Sequence, residues 1–123
     1  MHIAFESTIF DTDFHYIINV SNGLIKKRWK EIRIGNNVWI GHRSAIMKGS
    51  CLPNYSIVTA RSLINKDFGS YPEATVFAGS PAKNIRVGYK RLLDVNIEHI
   101  LDDWFRQNAV EQIEGEDFDC EIQ

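Results

Sequence analysis

Aliphatic side chains recur at a fixed interval of six along the middle of the chain, at Ile34, Ile40, Ile46, Leu52, Val58 and Ile64. Four places after the first five of these stand Val38, Ser44, Ser50, Ser56 and Ser62. A helix repeats every 3.6 residues and a half-buried strand every 2, so neither generates a strict six that disregards the residues between. Each hexad therefore predicts a short strand followed by a corner, with the aliphatic side chain pointing inward and a small residue easing the turn. Three hexads close one turn of a parallel β-helix of triangular section, and residues 34 to 69 supply about two full coils. Strands stacked in this way leave open sheet edges only at the two ends.

Upstream, Ile3 and Ile9 are again six apart, with Ser7 and Asp13 at the small phase, which predicts a partial earlier coil. The phase breaks between Phe14 and Ile34, where NVSNGLIKKRWKE is polar, basic and contains glycine, so a loop is expected over about 16–32. After Ile64 the pattern loosens. Asp67, Gly69 and Pro72 mark a turn, Ala74 to Ala78 predict one more strand, and Gly79-Ser80-Pro81 ends it. Leu93, Ile97, Ile100, Leu101, Trp104 and Phe105 then follow helical spacing, with Asp94 or Asn96 available as the cap. The expected organisation is a β-helix domain over 1–91, then an amphipathic helix and acidic tail over 92–123.

With 123 residues, 44% hydrophobic and 24% charged, the chain is of single-domain size; a disordered tail and a multidomain enzyme are both excluded. No apolar run approaches the roughly 20 residues needed to cross a bilayer, and MHIAFESTIF lacks a basic leader, so a cytoplasmic location is expected. Cys51 and Cys120 lack zinc-site spacing and read as ordinary thiols. The formal charge of −2 conceals a separation: residues 1–91 hold 13 Lys and Arg against 6 Asp and Glu, whereas residues 92–123 hold 1 against 10. A basic body suits nucleic acid or a small phosphorylated ligand equally, and charge alone does not choose.

The segments IRIGNNVWIGHRSAIMKGSCLPNYSIVTARSLINKDF (32–68) and VFAGSPAKNIRVG (76–88) resemble the C-terminal coils and closing AG-x-PAK segment of the hexapeptide-repeat acyltransferases. That resemblance implies a mostly β chain built as a left-handed parallel β-helix with a C-terminal α-helix. Within the family, IFDTDFHYI (9–17) is similar to bacterial enzymes that O-acetylate sugars in capsule, O-antigen or exopolysaccharide synthesis. Family members carry further coils or helices before the catalytic histidine, whereas His15 follows Met1 closely here; the acceptor side is accordingly expected to be short.

The resemblance makes His15 the general base, which neutral imidazole suits at cytoplasmic pH. Asp13 or Asp11 would orient it by its far nitrogen, or else cap a turn. For acetyl-CoA it implies Gly41 and its coil as an oxyanion donor, Ala60 as a main-chain partner of the pantetheine arm, and Asn65, Lys66, Lys83 and Arg86 near the phosphates. Trp39 would line the pocket or pack between subunits. Of the other histidines, His2 is terminal, His42 takes a variable hexad position and His99 lies among acids. Arg43, Lys48 and Arg61 read as a solvated face. The run Lys26, Lys27, Arg28 and Lys30 reads as a solubilising loop, or as an attraction for an anionic sugar nucleotide, a lipid-linked glycan or a membrane surface.

The family further implies a homotrimer with active sites between subunits and a small-molecule or glycan acceptor, with no nucleic acid and no transmembrane segment. The tail helix would pack on a prism's basic side. N-acyl transfer to an amino sugar, serine O-acetylation and a non-catalytic scaffold are the competing readings. No metal is expected, since the four histidines lack the spacing of a zinc triad.

Overall fold

A computed structural model of the chain describes residues 1–115; the acidic tail beyond, with Cys120, lies outside the described residues. Met1–Arg91 forms one compact unit, and the chain from Leu92 forms a second.

The first unit is a three-sided parallel β-helix. Its strands are two residues long: β1 (His2–Ile3), β2 (Thr8–Ile9), β3 (Arg33–Ile34), β4 (Trp39–Ile40), β5 (Ala45–Ile46), β6 (Cys51–Leu52), β7 (Ile57–Val58) and β8 (Leu63–Ile64). Each pairs in parallel with the strand one coil away. Ile34 lies beside Leu52, Ile40 beside Val58 and Ile46 beside Ile64, so the register advances by eighteen residues, three hexads, per coil. Ile40, Ile46, Leu52, Val58 and Ile64 are all buried, as six-residue inward phasing requires. On the same sides β1 pairs with β4 and β2 with β5, and Ile34 on β3 supplies the third side, so the upstream coil is complete.

The corners show what the repeat achieves chemically. Asn37, Arg43, Tyr55 and Arg61 adopt left-handed φ of 54° to 59°, and Gly49 one of 76°, so a left-handed residue recurs every six positions. Only Gly49 does so without a Cβ penalty. One residue later comes the small phase, where Ser44, Ser50, Ser56 and Ser62 are buried. They are hydrogen-bonded as well as small: Ser50 Oγ donates toward Met47 O (2.7 Å) and Ile64 O (3.1 Å), and Ser44 Oγ donates to Thr59 O (3.1 Å). A corner that hides its carbonyls from water needs such donors.

Two regions depart from the repeat. Between β2 and β3 the chain leaves the prism as a two-stranded arm. Lys30 N donates to Asp11 O and Asp13 N to Arg28 O at its base, and Asn19 N donates to Leu24 O near its tip. Antiparallel bridges join Thr12 to Trp29 and Ile18 to Ile25. At the other end the hexad slips: Phe68, not residue 70, fills the inward place above Leu52, its N–H donating to Cys51 O. Phe68, Tyr71 and Phe77 then plug the prism, with the Phe68 and Phe77 ring centroids 4.5 Å apart. β9 (Thr75–Gly79) adds to β7 in parallel, and β10 (Ala82–Val87) returns antiparallel beside it. The sequence reading ended this region at Pro81. The antiparallel return escaped it because Lys83, Asn84 and Arg86 interrupt any apolar alternation on an edge strand.

The second unit contains one helix, α1 (Val95–Gln107), capped by Asp94, whose carboxylate accepts from Asn96 N at 2.8 Å. Among the described residues no helix is long and apolar enough to cross a membrane.

Candidate active site

The arm is a ribbon with two faces, because successive side chains on an extended strand point oppositely. Asp13, His15 and Ile17 on its outgoing strand and Leu24, Lys26 and Arg28 on its returning strand share one face and line a cleft of about 620 Å³, closed at the base by Lys48. The opposite phase carries Phe14, Tyr16, Ile18, Ile25 and Trp29, all exposed.

His15 is exposed in this cleft and has no hydrogen-bond partner among the described residues. Asp13 shares the cleft, but its carboxylate pairs with Lys48 Nζ at 2.7 Å, both side chains being half-buried. Asp11 sits at the arm's base, exposed, and does not line the cleft. In the structure, then, neither acid hydrogen-bonds the imidazole. Asp13 tethers the arm to the corner of the coil above. Sequence reasoning missed Lys48, since nothing local links two residues separated by the whole arm.

A second cleft, of about 400 Å³, opens along the same corner column. Lys26 and Lys48 border it as they border the first, and Lys27, Lys30 and Lys66 line it together with Asn65 and one acid, Asp67. A third, of about 190 Å³, is lined by Arg33, Cys51 and Asp67 among others. Burial, with Asp67 adding to it, pushes the Cys51 thiol above its ordinary pKa, which suits a packed cysteine and not a nucleophile.

Trp39, Gly41 and Ala60 occupy a different side. Trp39 takes the outward position of β4 between His2 and Ile57 and stays 37% exposed. Gly41 is a glycine for steric reasons: a Cβ there would stand 2.6 Å from Ala60 N and 2.9 Å from Ala60 Cα, inside the backbone of the next coil. Its own N–H donates to Val58 O at 2.8 Å, whereas the Ala60 N–H has no acceptor among the described residues. Next to them the His42 ring stacks on Phe5, centroids 5.1 Å apart. Lys83 and Arg86 lie on exposed β10, the Arg86 guanidinium over the Tyr89 ring at 5.4 Å. Within one chain the structure thus gathers His15, Asp13 and Lys48, gathers Asn65 and Lys66 with the arm lysines, and keeps Trp39, Gly41 and Ala60 apart from both. Among the described residues no group of three or more His, Cys, Asp or Glu side chains could hold a metal ion.

No family model matches the chain. A chloramphenicol acetyltransferase of Morganella morganii is 35% identical over 80 residues, covering 64% of this chain and 35% of that protein. Among solved structures, the polysialic acid O-acetyltransferase OatWY superposes with a TM-score of 0.63 at 34% identity, covering 74% of this chain and 41% of that one. A galactoside acetyltransferase in complex with coenzyme A gives a TM-score of 0.53 at 29% identity, covering 70% and 46%. The chain spans about a third of the length of the chloramphenicol acetyltransferases it matches. Its relatives in sequence and structure are hexapeptide-repeat acetyltransferases, and the coiled unit of this chain shares their left-handed parallel β-helix fold.

Proposed function

We propose that residues 1–91 form an acyltransferase domain that moves an acetyl group from acetyl-CoA to a sugar hydroxyl, with His15 as general base. The observation that carries this reading is His15, without a hydrogen-bond partner among the described residues, in an open cleft of about 620 Å³ lined by cations and apolar side chains, on a prism of the acetyltransferase kind. An alcohol is a poor nucleophile until its proton is being removed. The free imidazole nitrogen takes that proton as the hydroxyl oxygen bonds to the thioester carbonyl carbon. When the C–S bond breaks, the imidazolium returns the proton to the departing thiolate. The ion pair of Asp13 with Lys48 fixes the arm from which His15 projects.

On the prism, the open Ala60 N–H is free to bind the pantetheine amides, and Gly41 keeps the neighbouring groove clear by lacking a side chain. Asn65 and Lys66, with Lys83 and Arg86, would meet the phosphates. The separation of His15 from Trp39, Gly41 and Ala60 supports a homotrimer in which the arm of one subunit faces the prism of the next. The exposed Phe14, Tyr16, Ile18 and Ile25 give that arm an apolar face to bury. Use of acetyl-CoA supports a cytoplasmic location, and likeness to a polysialic acid O-acetyltransferase supports a setting in polysaccharide synthesis.

The test is His15→Ala. Acetylation of a sugar acceptor should fall by roughly 100- to 10,000-fold while coenzyme A still raises the unfolding temperature. Unchanged turnover removes His15 from the chemistry, and a wild-type protein that coenzyme A does not stabilise removes the acetyltransferase reading.

A further inference from the structure

We propose that the acceptor is an anionic sugar whose carboxylate or phosphate is held by Lys26 and Arg28 beside His15. The inference rests on the acetyl-transfer reading and names the acceptor's chemical class.

Between Phe14 and Lys30 the arm carries Lys26, Lys27, Arg28 and Lys30 and not one Asp or Glu. Strand alternation places Lys26 and Arg28 on the cleft face with His15. Asp13 is the one carboxylate lining that cleft among the described residues, and Lys48 already neutralises it at 2.7 Å. Arg28 Nη1 donates to Phe14 O at 2.9 Å and its guanidinium lies 4.9 Å from the Tyr16 ring centroid, contacts that fix the group without cancelling its charge. Lys26 has neither an acid nor a hydrogen-bond partner among the described residues. Two uncompensated cations therefore stand in a cleft partly walled by Ile17 and Leu24, where low dielectric focuses their field on whatever enters.

The phosphates of coenzyme A do not answer these charges. They sit at the far end of the pantetheine chain from the thioester; held at Asn65 and Lys66 they would come near Lys26 only where it borders that second cleft, whereas Arg28 lines the His15 cleft alone, where the thioester end and the acceptor enter. A neutral sugar filling the cleft would displace water from both cations and return no charge, which selects against it.

Calorimetric titration of the full chain without acetyl-CoA tests this, using a sialic acid oligosaccharide, glucose 1-phosphate and maltotetraose as probes. At least one anionic probe should bind at least tenfold more tightly than maltotetraose, and which one binds identifies carboxylate or phosphate as the recognised group. Lys26→Gln should weaken the anionic probe about tenfold, the worth of one charge-assisted hydrogen bond, and Lys26→Arg should restore it. Equal affinity for maltotetraose, failure of both anions to bind, or a Lys26→Gln variant that loses coenzyme A stabilisation in place of sugar affinity overturns the proposal. Stabilisation by coenzyme A, measured separately, reports on the acetyl-transfer reading, so either can fail alone.

Discussion

The prism and the arm treat apolar side chains oppositely. In the prism Ile40, Ile46 and Ile64 are fully buried because the coils above and below present an aliphatic group at the same place. In the arm Ile17 is 74% exposed and Val20 92% exposed, and the ribbon is held to itself by a few backbone bonds and to the coil by the Asp13–Lys48 pair. Even within the repeat, Ile3 and Ile9 keep the inward phase yet stay 41% and 37% exposed, since they lie in the first coil of the stack. Burial here comes from stacking, not from hydrophobicity alone. The prism thus offers a packed support and the arm carries His15 with Lys26 and Arg28, a division expected where chemistry sits on loops held by a scaffold.

The contrast is broken most severely in the prism. Ile46→Ala removes a side chain enclosed between Ile9 and Ile64 and should cost about 2–5 kcal/mol in chemical denaturation, with coenzyme A stabilisation lost alongside. Gly41→Ala should follow, at roughly 1–3 kcal/mol, because the new methyl meets Ala60 backbone that cannot swing away. In the arm the same measurement should barely move. Lys48→Met breaks a half-buried ion pair worth about 1 kcal/mol or less, yet acetyl transfer should fall more than stability does, since the arm carrying His15 loses its tether. An equal loss of both would put Lys48 in the scaffold. The smallest effect concerns Cys51: with its pKa raised by burial it holds less thiolate at any given pH than a free cysteine, so alkylation followed by mass spectrometry should be slower there.

How far the sequence could be read follows the same division. The coils were legible because one chemical requirement, an aliphatic group every six residues, acts identically at Ile34 through Ile64. The slip to Phe68 was not, since an aromatic plug abandons the period, and nor was the left-handed φ at Arg43, Tyr55 and Arg61, where the residue types give no hint of it. In the site, His15 was singled out by resemblance. Its relation to Asp13 was not legible: the acid's partner, Lys48, is brought near only by stacking of one coil on the arm's base. For the run with Lys26 and Arg28 the sequence leaves a solubilising loop and an attraction for an anionic sugar or a membrane surface both open; only strand alternation within the folded arm puts the two on the face that His15 shares.

Complementation between subunits tests most directly whether arm and prism build one site from separate copies. His15→Ala and Trp39→Ala proteins, once each is shown to have lost acetyl transfer alone, are unfolded together, refolded as a mixture and assayed for acetyl transfer. Random trimers in which each site joins one arm to the next prism should recover about a quarter of wild-type activity. A mixture no more active than its two components would contradict the account.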